Sequence, residues 1–240
     1  SLNVRSEGEK FYLRGEEDWP IPRTEWTKFY LKADGHLLSP EEQVGEENIS
    51  YKSTGDGVTF VSTPMEKDTE FCGPIASKVW VSSDTKDADL FLVVRVFTPD
   101  FKEVVFHGAL DPHTPVASGW LRASHRALDK DRSTEWAPFH THKKAEPLTP
   151  GEIYELDIEI HASGMVIPEG YRVALSIRGR DYVYPGEPDA GLSNMKNQFT
   201  GVGPFLHDDL DNRPEDVFDN QVTIHIGPDR PSYLLLPIVN

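Results

Sequence analysis

The sequence contains a single cysteine, Cys72. No intrachain disulfide can form, so the fold depends on no oxidising compartment, and apolar neighbours mark Cys72 as a small buried side chain. Long hydrophobic runs are also missing. No stretch approaches the ~18 consecutive apolar residues of a membrane-crossing helix, and SLNVRSEGEK at the amino terminus lacks the basic and apolar regions of a signal peptide. Both absences lead to the expectation of a soluble, cytoplasmic chain with no membrane partner. Basic residues are outnumbered, 24 Lys and Arg against 40 Asp and Glu, and the net charge of −16 repels phosphate backbones and anionic lipid. Nucleic acid is therefore not expected as a partner, and the acidity reads as a solvated surface.

Convincing amphipathic helices are absent too. With 18 Gly and 19 Pro the chain is broken too often for long helices, while 38% hydrophobic residues are enough to build a core. A length of 240 residues is within reach of one β-sandwich. The periodicity that is present is two. Tyr154, Leu156, Ile158 and Ile160 alternate with Glu155, Asp157, Glu159 and His161, as in a half-buried strand, and the same alternation recurs at 171–178 and 222–226. Residues 90–97 are apolar almost throughout, which predicts a central strand covered on both faces. Further strands are expected at 26–31, 58–62, 78–82, 101–106 and 233–239, with one short helix at 124–128. The pattern predicts an all-β chain, a two-sheet jelly-roll β-sandwich. Two stretches, 107–151 and 179–220, read as long loops, which in a compact domain are functional or packed against something else.

Catalytic motifs are scarce. An α/β-hydrolase needs G-x-S-x-G on a strand-to-helix turn to present its serine, and the nearest approach here, Gly191-Leu192-Ser193-Asn194-Met195, ends in a large residue with no helix after it. Gly201-Val202-Gly203-Pro204 is likewise followed by no helix that could hold a phosphate. His140 and His142 have the spacing of two metal ligands on a strand, but a zinc site needs a third and usually a fourth, so they read as surface histidines. Asp208, Asp209, Asp211 and Asn212 offer oxygen donors without the Gly and distal Glu of an EF-hand loop, and read as a solvated acidic loop. No metal or other cofactor is expected. The densest mixture of aromatic and basic groups is Trp120, Arg122, His125 and Arg126, which could bind a carboxylate or a sugar, or could pair with acids across loops. Trp19, in Trp19-Pro20-Ile21-Pro22-Arg23, needs a surface to cover, and Tyr182 and Tyr184 open the second long loop. These seven residues are the interdomain or ligand-contact candidates.

Five segments in order carry a family resemblance: WPIPRTEWTKFYL, FVSTPMEKDTEFCGPIASKVWVSSDTKDADLFLVVRVFTPD, ASGWLRASHRALD, SGMVIPEGYRVALSIRGRDY and GPDRPSYLLLPIV. Together they resemble the C-terminal domain of the cocaine esterase and X-prolyl dipeptidyl-peptidase (CocE/NonD) family of serine hydrolases, across nearly the whole chain. The resemblance implies a galactose-binding-domain-like jelly roll following an α/β-hydrolase domain. In that family the catalytic Ser, Asp and His all lie in the hydrolase domain, so no catalytic residue can be assigned here. It also implies that residues 1–25 are a linker from the hydrolase domain and 26–240 the jelly roll, and that 179–220 with parts of 107–151 face the hydrolase domain. The implied partner is that domain, with a homodimer as a further expectation. The alternative is a stand-alone carbohydrate-binding β-sandwich, for which fold analogy is the only warrant.

Overall fold

A computed structural model describes residues 14–106, 111–186 and 199–240. The first part of the expected linker, the pentapeptide around Ser193 and the middle of the second long loop lie outside the described residues. Twelve strands are found among those described: β1 (Thr24–Lys32), β2 (Leu37–Ser39), β3 (Glu47–Lys52), β4 (Val58–Ser62), β5 (Thr69–Ser83), β6 (Asp89–Phe97), β7 (Glu103–Val104), β8 (Ala117–Arg122), β9 (Tyr154–Ile167), β10 (Arg172–Arg178), β11 (Gln221–Ile226) and β12 (Tyr233–Val239). One four-residue helix, α1 (Glu215–Phe218), precedes β11. The chain is all-β, as its alternating pattern predicts.

The strands form one continuous hydrogen-bonded path that folds over into a sandwich. From β3 it runs through β11, β5, β12, β1, β2, β4, β10 and β6 to β7, with β9 added to β5 and β8 to β6. Every pairing between these strands is antiparallel except β2 with β4, a two-residue parallel contact. β5 pairs with β9 from Thr69 opposite Ile167 to Val81 opposite Tyr154. Its other edge is shared end to end by β12 and β11. The alternation expected at 154–160 is realised, with Leu156, Ile158 and Ile160 essentially inaccessible. They meet Phe60, Leu92 and Leu175 in one core cluster. Each such side chain contributes about 1.5–3 kcal/mol on burial.

β8 and β9 are not paired as a ladder, but their backbones approach closely. A Cβ placed on Gly119 would stand 2.1 Å from the carbonyl oxygen of Glu159 and 3.0 Å from Cα of Ile160. Only a residue without a side chain fits there. The Gly119→Ala variant should lose about 1–3 kcal/mol in urea unfolding, because neither backbone can retreat without breaking its own ladder. Gly45→Ala, with nothing within 4 Å of the new methyl, should change stability little.

On β11, His225 lies beside Ser82, its Nε2 being 2.9 Å from that hydroxyl. Burial, helped by nearby Arg230 and opposed by Glu46, lowers the His225 pKa below its ordinary value. The unfolded chain therefore takes up this proton more readily than the folded one. The associated stability is present above the unfolded histidine pKa of about 6.5 and declines as the pH falls below it. Replacing His225 by Gln should flatten the fall in urea midpoint between about pH 7.5 and 5.5. An unchanged slope would assign that fall to other groups.

Candidate functional site

One flank of the sandwich is organised by pairs across β6 and β8. The register sets Asp89 opposite Arg122 and Phe91 opposite Trp120. Arg122 holds Asp89 with two parallel hydrogen bonds, Nε to Oδ1 at 2.7 Å and Nη2 to Oδ2 at 2.9 Å. That carboxylate raises the Arg122 pKa above its ordinary value. Arg213 brings a second guanidinium, its Nε 2.9 Å from Asp89 Oδ2 as an ion pair that lacks hydrogen-bond alignment. Arg213 also donates to the carbonyls of His207 and Gly179, at 2.7 and 2.8 Å. Phe218 of α1 lies beneath both arginines.

The stretch from 199 to 213 is laid over this flank by carboxylates. Asp181 accepts the backbone N–H of His207 at 2.6 Å and lies 2.9 Å from its Nδ1. Buried Asp111 accepts the backbone N–H groups of His113, Gly201 and Gly203 at 2.8, 2.6 and 2.8 Å. The glycine pair that resembles a phosphate loop thus cradles an anion, which is the chain's own aspartate. Gly201 is required there, because a Cβ would strike the Tyr182 ring at 2.3 Å. His207 ends between Phe91, at 5.4 Å centroid to centroid, and Trp120, at 5.9 Å, while His161 meets Trp120 edge-on at 5.3 Å. His207 beside Asp181 has the form of a base and its orienting acid. Its partners Phe91, Trp120 and Arg213 include no nucleophile.

The seven sequence candidates do not form one site. Trp120 and Arg122 share the flank just described. Tyr182 is buried beneath it, its hydroxyl donating to Glu103 at 2.7 Å, so it does not reach the surface; burial and Glu103 push its pKa up. Tyr184 is half-buried and stacked on His113 at 4.8 Å. His125 and Arg126 belong to the loop between β8 and β9. Arg126 donates to the carbonyls of Ala123 and Glu146 and covers the Tyr154 ring, a structural role. His125 lies against His142 at 5.5 Å, and His142 against His140 at 5.9 Å. His140 is half-buried rather than on the surface, and burial together with His142 lowers its pKa. Trp19 is exposed. In the acidic loop, Asp209 accepts from the Asp211 backbone and the Asn212 amide, so its oxygens complete a local turn.

Asp89, Phe91, Asp111, Asp181, His207 and Arg213 are absent from the sequence-based candidates. Only Asp89 carries a signal, as a carboxylate opening a strand whose one other charged residue is Arg95. The Asp89→Ala variant leaves two guanidinium groups facing each other. It should cost about 3 kcal/mol in urea unfolding, the low end for a broken buried pair because the Arg122 side chain remains 32% exposed. A cost below about 1 kcal/mol would show that the cluster adds little net stability.

The geometry matches known proteins over nearly its full length. Residues 2–235 match the X-Pro dipeptidyl-peptidase C-terminal non-catalytic domain. Cocaine esterase of Rhodococcus sp. (strain MB1 Bresler) is 23% identical over 264 residues, taking in 94% of this chain and 40% of that protein. The crystal structure of a CocE/NonD family hydrolase from Staphylococcus aureus superposes with a TM-score of 0.78 at 28% identity, over 99% of this chain and 40% of that one. An aminopeptidase from a marine sediment archaeon, Thaumarchaeota archaeon, shares the fold, with a TM-score of 0.60 at 12% identity over 94% of this chain and 38% of that one. The chain spans about two-fifths of the length of these relatives. It belongs to the family of X-Pro dipeptidyl-peptidase C-terminal non-catalytic domains, the domain type carried by CocE/NonD hydrolases.

Proposed function

We propose that this chain is the noncatalytic β-sandwich of a larger serine hydrolase and that it docks on its own α/β-hydrolase domain through the flank formed by β8 and residues 199–213. The observation that carries this reading is the exposure there of large apolar side chains. Phe205 is 72% exposed, Leu210 65% and Leu206 56%, in the stretch whose His207 contacts the partly exposed Trp120. Clustered apolar exposure of this kind marks a contact surface on a folded protein. The missing three-fifths of the relatives' length supplies the occupant. Docked in this way, the sandwich stabilises the hydrolase domain and helps to shape its pocket, while the acyl-transfer chemistry is carried out by a triad and oxyanion hole outside this chain. The names of the relatives indicate an ester or X-prolyl peptide as the substrate class of the whole protein.

The test is the triple variant Phe205→Ser, Leu206→Ser, Leu210→Ser. In the isolated chain, stability should shift by no more than about 0.5 kcal/mol per site, because all three side chains are exposed. In the full-length protein the same variant should lower the melting temperature and make the junction between domains sensitive to limited proteolysis. Turnover of esters or X-prolyl substrates should fall several-fold. A full-length protein unchanged in all three respects would refute docking at this flank. Saturable glycan binding by the isolated chain would favour the carbohydrate-binding alternative, although the Trp120 ring is already contacted by His161 and His207.

A further inference from the structure

The loop between β8 and β9 holds a second arrangement, which the docking reading does not use. Its two arms run antiparallel. Asp129 N donates to the Phe139 carbonyl at 2.8 Å, Thr141 N donates to the Ala127 carbonyl at 2.9 Å, and Leu128 forms a β-bridge with His140. Where this short ladder ends, His125 of the first arm meets His142 of the second, with ring centroids 5.5 Å apart. The His142 ring also lies 5.9 Å from that of His140. The backbone of His142 is left-handed, at φ 49°, a conformation that few residues with a side chain adopt. The strained residue is thus the one in contact with both other imidazoles.

This arrangement suits neutral rings and opposes charged ones. Nδ1 of His125 and Nε2 of His140 are buried without a hydrogen-bond partner, so a proton added to either finds no acceptor. Burial, with His142 and His125 beside it, holds the His140 pKa below its ordinary value, against the opposing backbone and carboxylate of Asp157. That carboxylate is 2.9 Å from Lys78 Nζ, which Glu155 also contacts. On the loop itself, Arg126 pairs with Glu146 at 3.7 Å, and Lys143 and Lys144 add positive charge after His142. Among the described residues, no carboxylate forms an ion pair with any of the three rings.

We propose that His125, His140 and His142 form an acid-sensitive catch, which holds the two arms of this loop together near neutral pH and releases them on acidification. A proton that lacks an acceptor in the closed loop is taken up more readily once the arms part. For His140 the closed form is therefore favoured above the unfolded histidine pKa of about 6.5 and loses stability as the pH falls below it. A charge on His142 adds repulsion toward its two neighbours. The tip of the loop is held separately. Glu135 lies 2.7 Å from Lys28 and accepts the Tyr233 hydroxyl at 3.0 Å, and Trp136 stacks on Trp26 at 5.3 Å. Lys28 keeps the Glu135 pKa below its ordinary value, so this attachment outlasts the catch as the pH falls.

The test is hydrogen exchange at the Asp129 and Thr141 amides of the full chain, at pH 7.5 and 5.0, expressed as protection relative to an unstructured peptide at the same pH. Protection of these two amides should fall by at least about tenfold, while the amides of β9 keep theirs. His142→Asn tolerates the left-handed backbone and takes up no proton, and should reduce the fall to about threefold or less. His142→Lys carries its charge at both pH values and should lower protection already at pH 7.5. His225→Gln, which alters a histidine outside the loop, should leave the fall unchanged. Equal protection at the two pH values, an equal fall in β9, or an undiminished fall in His142→Asn would overturn the proposal.

Discussion

Strand β5, 15 residues long, is paired along both edges, to β9 between Thr69 and Val81 on one side and to β12 and β11 between Glu70 and Ser83 on the other. Because side chains alternate across a sheet, a slip of one residue would expose Phe71, Val79 and Val81 and bury their polar neighbours. That cost fixes the register of β9, and with it the position of Glu159 and Ile160 against Gly119. Once Gly119 is held against the β9 backbone, the strand period directs Trp120 to solvent. The exposed flank is thus a consequence of pairing in a distant central strand.

Carboxylates organise the rest. Asp89 gathers two arginines, Asp181 holds His207, and Asp111 gathers three backbone amides. Asp87 does the same for the loop after β8, accepting the Ser124 amide at 2.9 Å and its hydroxyl at 2.6 Å. Part of the acidic excess is therefore internal, where each charge is matched by donors that the loops would otherwise leave unsatisfied. Loops with no ladder of their own acquire fixed conformations in this way.

What could be read from the sequence follows from this division. Strands whose alternation is carried by large side chains are legible: β10, β11 and β6 agree with the pattern to within a residue or two at their ends, and β9 starts where expected but runs six residues past His161, to Ile167. β8 was hidden because its inward residues include Ala117 and Gly119 while its largest side chain, Trp120, points outward. β5 extends well before residue 78, past Gly73 and Pro74. A bulge between Gly73 and Ile75 absorbs the proline. The helix expected at 124–128 is a single 3-10 turn at Ala123–His125. β2 and β3 are a three-residue strand and a largely polar edge strand, with too little buried surface to leave a pattern. The family relationship was legible from five ordered segments. The contacts of His207 with Phe91 and of Arg213 with Asp89 were not, since they join residues more than a hundred positions apart through loop geometry that no period encodes.

The anchors of the second long loop are unevenly placed. On one side of residues 187–198 stand Arg178 and Arg180, both paired with Asp56, and on the other stand Gly201, His207 and Arg213 with their aspartates. The two anchors are therefore read by position as well as by charge: a residue inserted or removed between Arg178 and Arg180, or between Gly201 and Arg213, would part a carboxylate from the arginine or backbone amide it holds.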